Sequence, residues 1–414
     1  MRYCTRCLYP ENHPLNIVFD SEGVCSGCRV HEEKDVLDWA SRRKKLDVLL
    51  GHFRRKALSN YDCVIPIDGK DSYYTVHVIK NLYGMNPLLV LFNKHYNTLT
   101  GIRNKQYLKE VFRCDVVENT ISPQLAKTLV KYELEKMGSI YWHNHLGTKT
   151  FPVQIAVRMK IPLIIWGHHQ GLDQVGMFSH TDEVEMTRKY RKEHDLMGFE
   201  AEDLVAKADG LTEQELSRFF YPSDPEIASV GVRGIYLGNY LRWDCKAQHE
   251  EMIQRFEYET LAQTRNFDSY DHVDCMLYND VHDSIKYIKW GFSKVTDHVC
   301  REIRFGRINR EEGRHLVLAH SRKQTRHLNT FLRWADIEEG YFNRCIEKFR
   351  SPVAWKKNES GEWKHVEATL NELPSNELVS SAIKKLNYHS FTKQGAPSEA
   401  DQFTLMHKGY LNSL

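Results

Sequence analysis

Two Cys-x-x-Cys pairs, Cys4/Cys7 and Cys25/Cys28, stand seventeen residues apart, and a short polar turn, Asp68-Gly69-Lys70-Asp71-Ser72, follows the apolar run Val64-Ile65-Pro66-Ile67. Two residues between thiolates let both sulfurs of a knuckle reach one tetrahedral ion, so the four cysteines predict a structural Zn²⁺ site. Four thiolates leave no open coordination position, which argues against a catalytic zinc. In the turn, backbone N–H groups at a helix start can hold phosphate oxygens. Gly69 permits close approach, Lys70 adds charge and Ser72 can donate a hydrogen bond. The plain alternative is a strand-to-helix turn with Asp71 or Ser72 as a cap. The spacing is not that of a Walker A loop.

Two further groups could bind a ligand. After the run Ile164-Ile165-Trp166-Gly167 come His168 and His169, with Asp173 and His180 nearby. Adjacent histidines on an extended segment point to opposite sides, so polar substrate contacts are favoured over a second metal site. Asp297, His298, Arg301 and Arg304 have spacings that share one helix face. Paired guanidiniums suit a phosphate or carboxylate, against the bland reading of a salt-bridged surface helix.

The elements that must position these residues follow from periodicity. Residues 1–35 are loop-rich, with Pro10, Pro14, Gly23 and Gly27 as punctuation, and read as a zinc ribbon stapled by its metal. Residues 36–60 read as a helical connector. From 61 to 239, apolar runs at Tyr61–Ile67, Pro87–Phe92, Cys114–Glu118 and Pro162–Trp166 alternate with helical patterns. That alternation predicts an α/β fold whose parallel sheet is covered on both faces, with ligands beyond the carboxyl ends of the strands. The turns after Ile67, Phe92 and Trp166 should therefore converge. Residues 240–414 read as a mostly helical C-terminal substrate or partner region, with a partly irregular tail from about Ser351.

The bulk numbers narrow the class. A chain of 414 residues with 41% hydrophobic content can bury a full α/β core and is expected to carry two or three domains. Its 57 Lys and Arg against 55 Asp and Glu give a net charge of +2, little long-range attraction for nucleic acid or anionic membrane. No run approaches the roughly 18 apolar residues of a spanning helix, and the first residues lack a signal-like apolar stretch, so a cytoplasmic enzyme without a membrane span is expected. The six other cysteines lack a framework spacing and are read as reduced thiols.

The turn resembles the PP-loop of ATP pyrophosphatases, Ser-Gly-Gly-x-Asp-Ser, with Gly69, Lys70, Asp71 and Ser72 in its last four positions. More specifically, the chain is similar to the N-acetyl sugar amidotransferase family. The resemblance rests on the order of zinc knuckles, PP-loop, Gly101-x-Arg103-Asn104, Ile164-Ile165-Trp166-Gly167, the block Asp280 to Phe292, Thr296-Asp297-His298, and Arg301 to Arg307. It implies a PP-loop domain of the adenine nucleotide alpha hydrolase type. It also implies an AMP- and pyrophosphate-forming ligase using ATP and Mg²⁺, which converts the N-acetyl group of a bacterial surface-sugar precursor, such as one of the pseudaminic acid pathway, into an acetamidino group. The substrate would be an acetamido sugar or nucleotide-sugar. Ammonia would come from glutaminase and cyclase-like partner subunits, since no cysteine here has a glutaminase setting. Lys70, Asp71 and Ser72 would be catalytic. Asp68, Gly69, Asn93, Arg103, Asn104 and Gly167 would join them in binding the nucleotide, and His168, His169, Lys286, Lys289, Asp297, His298, Arg301 and Arg304 would meet the sugar. Two positions depart from the pattern: Ile67-Asp68 replaces Ser-Gly, and His168-His169-Gln170 stands where a Glu-Asn-type pair is usual. Losing a glycine stiffens the turn, and Asp68 adds like charge beside a polyanion. The alternatives are a PP-loop enzyme that modifies tRNA by thiolation, or a non-catalytic scaffold.

Overall fold

The computed structural model describes residues 1–56, 59–67, 69, 71–207, 211–394, 405–406 and 409–410. Five short strands form one parallel sheet in the order β3-β2-β1-β4-β5: β1 (Cys63–Pro66), β2 (Pro87–Phe92), β3 (Val116–Asn119), β4 (Leu163–Trp166) and β5 (Arg233–Tyr236). The register pairs Val64 with Leu88 on one side and with Ile164 on the other. The strand order reverses between β1 and β4, the place where doubly wound sheets open a crevice for ligands.

The runs are continuously apolar because both faces are covered. Val64, Val90, Phe92, Ile164 and Trp166 pack on one side beneath α5 (Pro123–Met137) and α6 (Trp142–Arg158). Ile65, Leu89, Leu91, Leu163 and Ile165 pack on the other, beneath α2 (Trp39–Lys56), α3 (Asp71–Val76) and α4 (Leu99–Phe112). At Gly147 of α6 a Cβ would lie 2.4 Å from the Phe92 ring, so the helix rests directly on β2. Thr98 caps α4 by accepting from the Gly101 N–H, and Ser122 caps α5 from Gln124.

The cysteine segment holds only isolated bridges, Tyr3 with Pro10 and Phe19 with Cys25, before α1 (Ser26–Val36) begins. Its apolar residues join a third core with Phe292, Val295, Val299 and Leu316. Those residues belong to a helical region containing α8 (Cys245–Phe256), α9 (Met276–Trp290), α10 (Lys294–Arg304), α11 (Arg310–His320), α12 (Leu328–Ala335), α13 (Glu339–Glu347) and α14 (Asn376–Leu386). The tail expected to be irregular also contains a hairpin, Trp355–Lys357 against Trp363–His365. The fold is α/β with a ribbon-like cysteine segment and a mostly helical C-terminal part. Among the described residues no helix is long and apolar enough to cross a membrane.

Candidate functional site

The bend after β1 opens directly into α3, with Asp71 as its first residue. Asp68 and Lys70 lie outside the described residues. Gly69 has φ +142°, a conformation essentially confined to glycine. The Ser72 N–H donates to the Gly69 carbonyl at 3.1 Å, and the Gly69 N–H donates to Ser72 Oγ at 3.3 Å. Two amides expected to hold phosphate are thus engaged inside the turn. The second is a long bond to a rotatable hydroxyl that a stronger acceptor can displace.

Across the switch point, β4 ends at Trp166, and Gly167 and His168 follow. A Cβ on Gly167 would meet Asp71 Cβ at 3.2 Å and Trp243 at 3.3 Å, so this glycine lets α3 close on the strand end. His168 lies against Trp243, ring centroids 5.4 Å apart, with Nδ1 2.8 Å from Asp71 Oδ2. Its Nε2 is 3.9 Å from Asp173 Oδ2, and Lys34 Nζ donates to Asp173 Oδ1 at 2.7 Å. Desolvation opposes ionisation of Asp173, yet Lys34 and His168 hold its carboxyl well below the usual range. The result is a chain of ionisable side chains from α1 to the loop: Lys34, Asp173, His168, Asp71.

The third wall comes from the C-terminal part. The Thr98 N–H donates to the Asp274 carbonyl at 3.0 Å, and a Cβ on Gly101 would lie 2.3 Å from Asp274 Cα, so Gly101 admits this segment against α4. Asp274 Oδ1 is 3.5 Å from where a Gly69 Cβ would sit, while its Oδ2 lies 3.4 Å from Lys94 Nζ and 3.9 Å from Lys105 Nζ. Burial lowers the Lys105 pKa, countered by Asp274. Cys275 Sγ is 3.7 Å from Lys94 Nζ, 3.4 Å from Tyr141 Oη and 3.6 Å from His272 Nδ1. Lys94, Lys105, Asp274, Cys275 and Trp243 escaped sequence reasoning, because single residues in unlike segments have no local pattern.

Other residues expected at the site have different partners. His169 turns away from His168, as alternation requires, and caps α7 (Gln170–Val175) by accepting from the Leu172 N–H at 3.3 Å. Burial drives its pKa down to about 3, so it is a neutral cap in place of the expected substrate contact. Asn93 spans the turn after β2, donating to Glu118 at 2.7 Å. Arg103 is bidentate to Glu259 at 2.8 and 3.1 Å, and Asn104 bonds the Glu259 backbone N–H and carbonyl, so this pair anchors the C-terminal chain rather than facing the loop. Lys289 donates to the Met137 carbonyl at 2.7 Å at the end of α5, and burial lowers its pKa to about 8. Lys286 donates to Asp297 at 2.5 Å, and Tyr9 of the cysteine segment donates to the other oxygen of Asp297 at 3.0 Å.

His298 is enclosed by Asn266, Asp268 and Asp271, with Nε2 2.9 Å from Asp271 Oδ2. Desolvation resists ionisation of Asp268, and the facing His298 holds it below the ordinary value. Lys294 Nζ, 3.3 Å from Asp271, supplies a cation already. The expected arginine fork does not form: Arg301 bonds Glu302 at 2.9 Å, while Arg304 points into the cysteine cluster. There the Sγ atoms of Cys4 and Cys28 are 3.9 Å apart and those of Cys7 and Cys25 are 3.6 Å apart, all four buried. A tetrahedron with Zn–S of about 2.3 Å has edges of about 3.8 Å, so the set fits zinc. Amides of Arg6, Cys7 and Cys25 donate to Cys4 Sγ at 3.3–3.4 Å, as around a thiolate. Nearby, His31 packs edge-on to Phe305.

Against known proteins, residues 250–370 match the family model described as LPS biosynthesis protein WbpG-like, C-terminal domain. No curated protein matches significantly. Among solved structures, NMN synthetase from Francisella tularensis is similar with TM-score 0.27 and 14% identity, covering 56% of this chain and 99% of that one. The matched C-terminal stretch contains Asp274, the carboxylate that closes over the loop.

Proposed function

We propose that this chain is a nucleotide-using enzyme of bacterial surface-sugar biosynthesis, and more finely an ATP-dependent carbon–nitrogen ligase that turns a sugar N-acetyl group into an acetamidino group. The observation that carries the reading is the convergence, at the switch point of the sheet, of a glycine-dependent strand-to-helix turn with Asp71, His168, Lys94, Lys105 and Asp274. The last of these comes from the part that matches a lipopolysaccharide-biosynthesis domain.

An amide oxygen is a poor leaving group. Attack of that oxygen on the α-phosphorus of ATP expels pyrophosphate and leaves an O-adenylyl imidate. Ammonia then adds at the imidate carbon, AMP departs, and an amidine remains. The Ser72 hydroxyl and the start of α3 would hold the departing phosphates, with Lys94 and Lys105 offsetting their charge. Magnesium, when bound with the nucleotide, would neutralise the pyrophosphate, and Asp71 would be the carboxylate to hold it. His168, with Nδ1 toward Asp71, would take the proton that the attacking nitrogen sheds. Ammonia would come from a separate glutaminase. The four cysteines would hold a structural zinc.

The test is ATP–pyrophosphate exchange that depends on an acetamido sugar, followed by AMP release when ammonia is added. A chain that binds ATP yet gives neither signal with a panel of acetamido nucleotide-sugars refutes this chemistry. A second reading, sulfur insertion into tRNA, draws on Cys275, which lies between Lys94 and His272 beside Asp274. A salt-sensitive tRNA complex together with loss of product in Cys275→Ser would favour it over the ligase.

A further inference from the structure

Arg304 was expected to meet a substrate anion, but its guanidinium is spent elsewhere. Nε donates to Cys28 Sγ at 3.4 Å, and Nη2 faces Cys25 Sγ at 3.5 Å and Cys7 Sγ at 4.0 Å. Nη1 donates at 2.8 Å to the carbonyls of both Asp173 and Gln174 in α7. Its plane also lies over the Tyr9 ring, 5.3 Å from the centroid. The packing is built around this side chain: a Cβ on Gly27 would fall 2.3 Å from Nη2 and 2.3 Å from the Gln174 carbonyl. Ser26 Oγ donates to the Val175 carbonyl at 2.6 Å, and a Cβ on Gly176 would lie 2.5 Å from the Ser26 carbonyl. The cysteine knuckle, the tip of α10 and α7 therefore meet at one guanidinium.

Zinc in four thiolates is a dianion, and a buried dianion needs a fixed counter-charge. Arginine is always charged and presents several donors in a rigid fork. We propose that Arg304 is a positioning residue: it neutralises the zinc–tetrathiolate centre and, through the Asp173 and Gln174 carbonyls, transmits the centre's presence to α7, the helix whose Asp173 lies between Lys34 and His168. Zinc loss then frees the guanidinium, loosens α7 and disorganises the His168 end of the site. The inference rests on zinc filling the four-cysteine cluster.

The experiment uses the full chain as purified. Its zinc content, measured first by elemental analysis, separates the two ideas: a chain without metal refutes the zinc reading and this inference together. With about one zinc bound, Arg304→Met is compared with wild type in two measurements, zinc release to a chromogenic chelator and amide hydrogen exchange over residues 170–176. The expected result is release about tenfold faster, with exchange in 170–176 raised to the level of chelator-stripped wild type. Arg304→Lys keeps the charge without the fork, and it should hold zinc nearly as wild type does while still showing faster exchange in α7. A folded Arg304→Met that keeps wild-type zinc release and wild-type exchange overturns the proposal. Should Arg304→Met not fold, Arg304→Lys decides alone, and unchanged exchange in 170–176 overturns it.

Discussion

Lys34 offers the sharpest test of the chain of ionisable side chains that runs from α1 to the loop. Its side chain is 4% exposed, and its ammonium donates to Asp173 at 2.7 Å and to the Trp243 carbonyl at 3.2 Å. Lys34→Met leaves the Asp173 carboxylate with His168 Nε2 at 3.9 Å as a far weaker partner. Removing one member of a buried pair costs about 3–5 kcal/mol, and the 18% exposure of Asp173 points to the lower end, about 3 kcal/mol. Desolvation alone would raise the Asp173 pKa, but Lys34 and His168 hold it below its ordinary value in the folded state. Such a carboxylate contributes stability that is complete above the unfolded value of about 3.9 and is lost as pH falls through the lower folded value. In the variant that contribution is gone, and Asp173 takes up a proton at higher pH than in wild type. The destabilisation should therefore keep its full size from pH 7.5 down to about pH 4 and shrink only below that, toward about pH 3. Urea unfolding followed by tryptophan fluorescence at pH 7.5 and about pH 3 measures it. A gap below about 1 kcal/mol at pH 7.5, or one equally large at about pH 3, refutes the argument.

Other outcomes follow from single residues. Asp280 is raised from 3.8 to about 6, chiefly by burial, so stability declines as pH rises from about 4 through about 6. Asp280→Asn should gain up to about 3 kcal/mol relative to wild type at pH 8 and little at pH 4, readable from unfolding midpoints at the two pH values. Gly69→Ala meets only an ordinary 3.5 Å contact with Asp274, so any loss comes from φ +142° rather than crowding. It should cost about 1–3 kcal/mol in stability and abolish ATP binding measured by calorimetry. His168→Ala should retain ATP binding and lower ammonia-dependent AMP formation by about 100-fold or more, while equal loss of both would place His168 in nucleotide binding instead. Stripping zinc with a strong chelator should lower the melting temperature, and melting that ignores the chelator would remove the metal from the ribbon's stability.

The sequence was legible wherever a local rule governs. Apolar runs between helical patterns marked four strands, and the two Cys-x-x-Cys pairs marked a cluster whose sulfurs lie at zinc-like separations. The α6 helix went unmarked. Pro152 sits inside it and it is buried nearly all round, with polar His143, Asn144, Thr150 and Gln154 among the buried residues, so no amphipathic stripe announces it. Arg301 and Arg304 show the opposite failure. Their spacing suggested one shared face, but helix spacing says nothing about which partner lies opposite. Arg304 met three sulfurs and Arg301 met Glu302.

What the sequence determined by itself was therefore the layered α/β body, the cysteine cluster and the glycine-bearing turn, each set by residues close together along the chain. The tertiary structure alone decided that the crevice lies between β1 and β4, that Asp274 closes it from about two hundred residues away, and that Arg304 serves the cysteines. The physical reason is that a buried charge takes its function from whatever neutralises it. For Asp173, Asp274 and Arg304 those partners arrive from distant segments that only folding brings together.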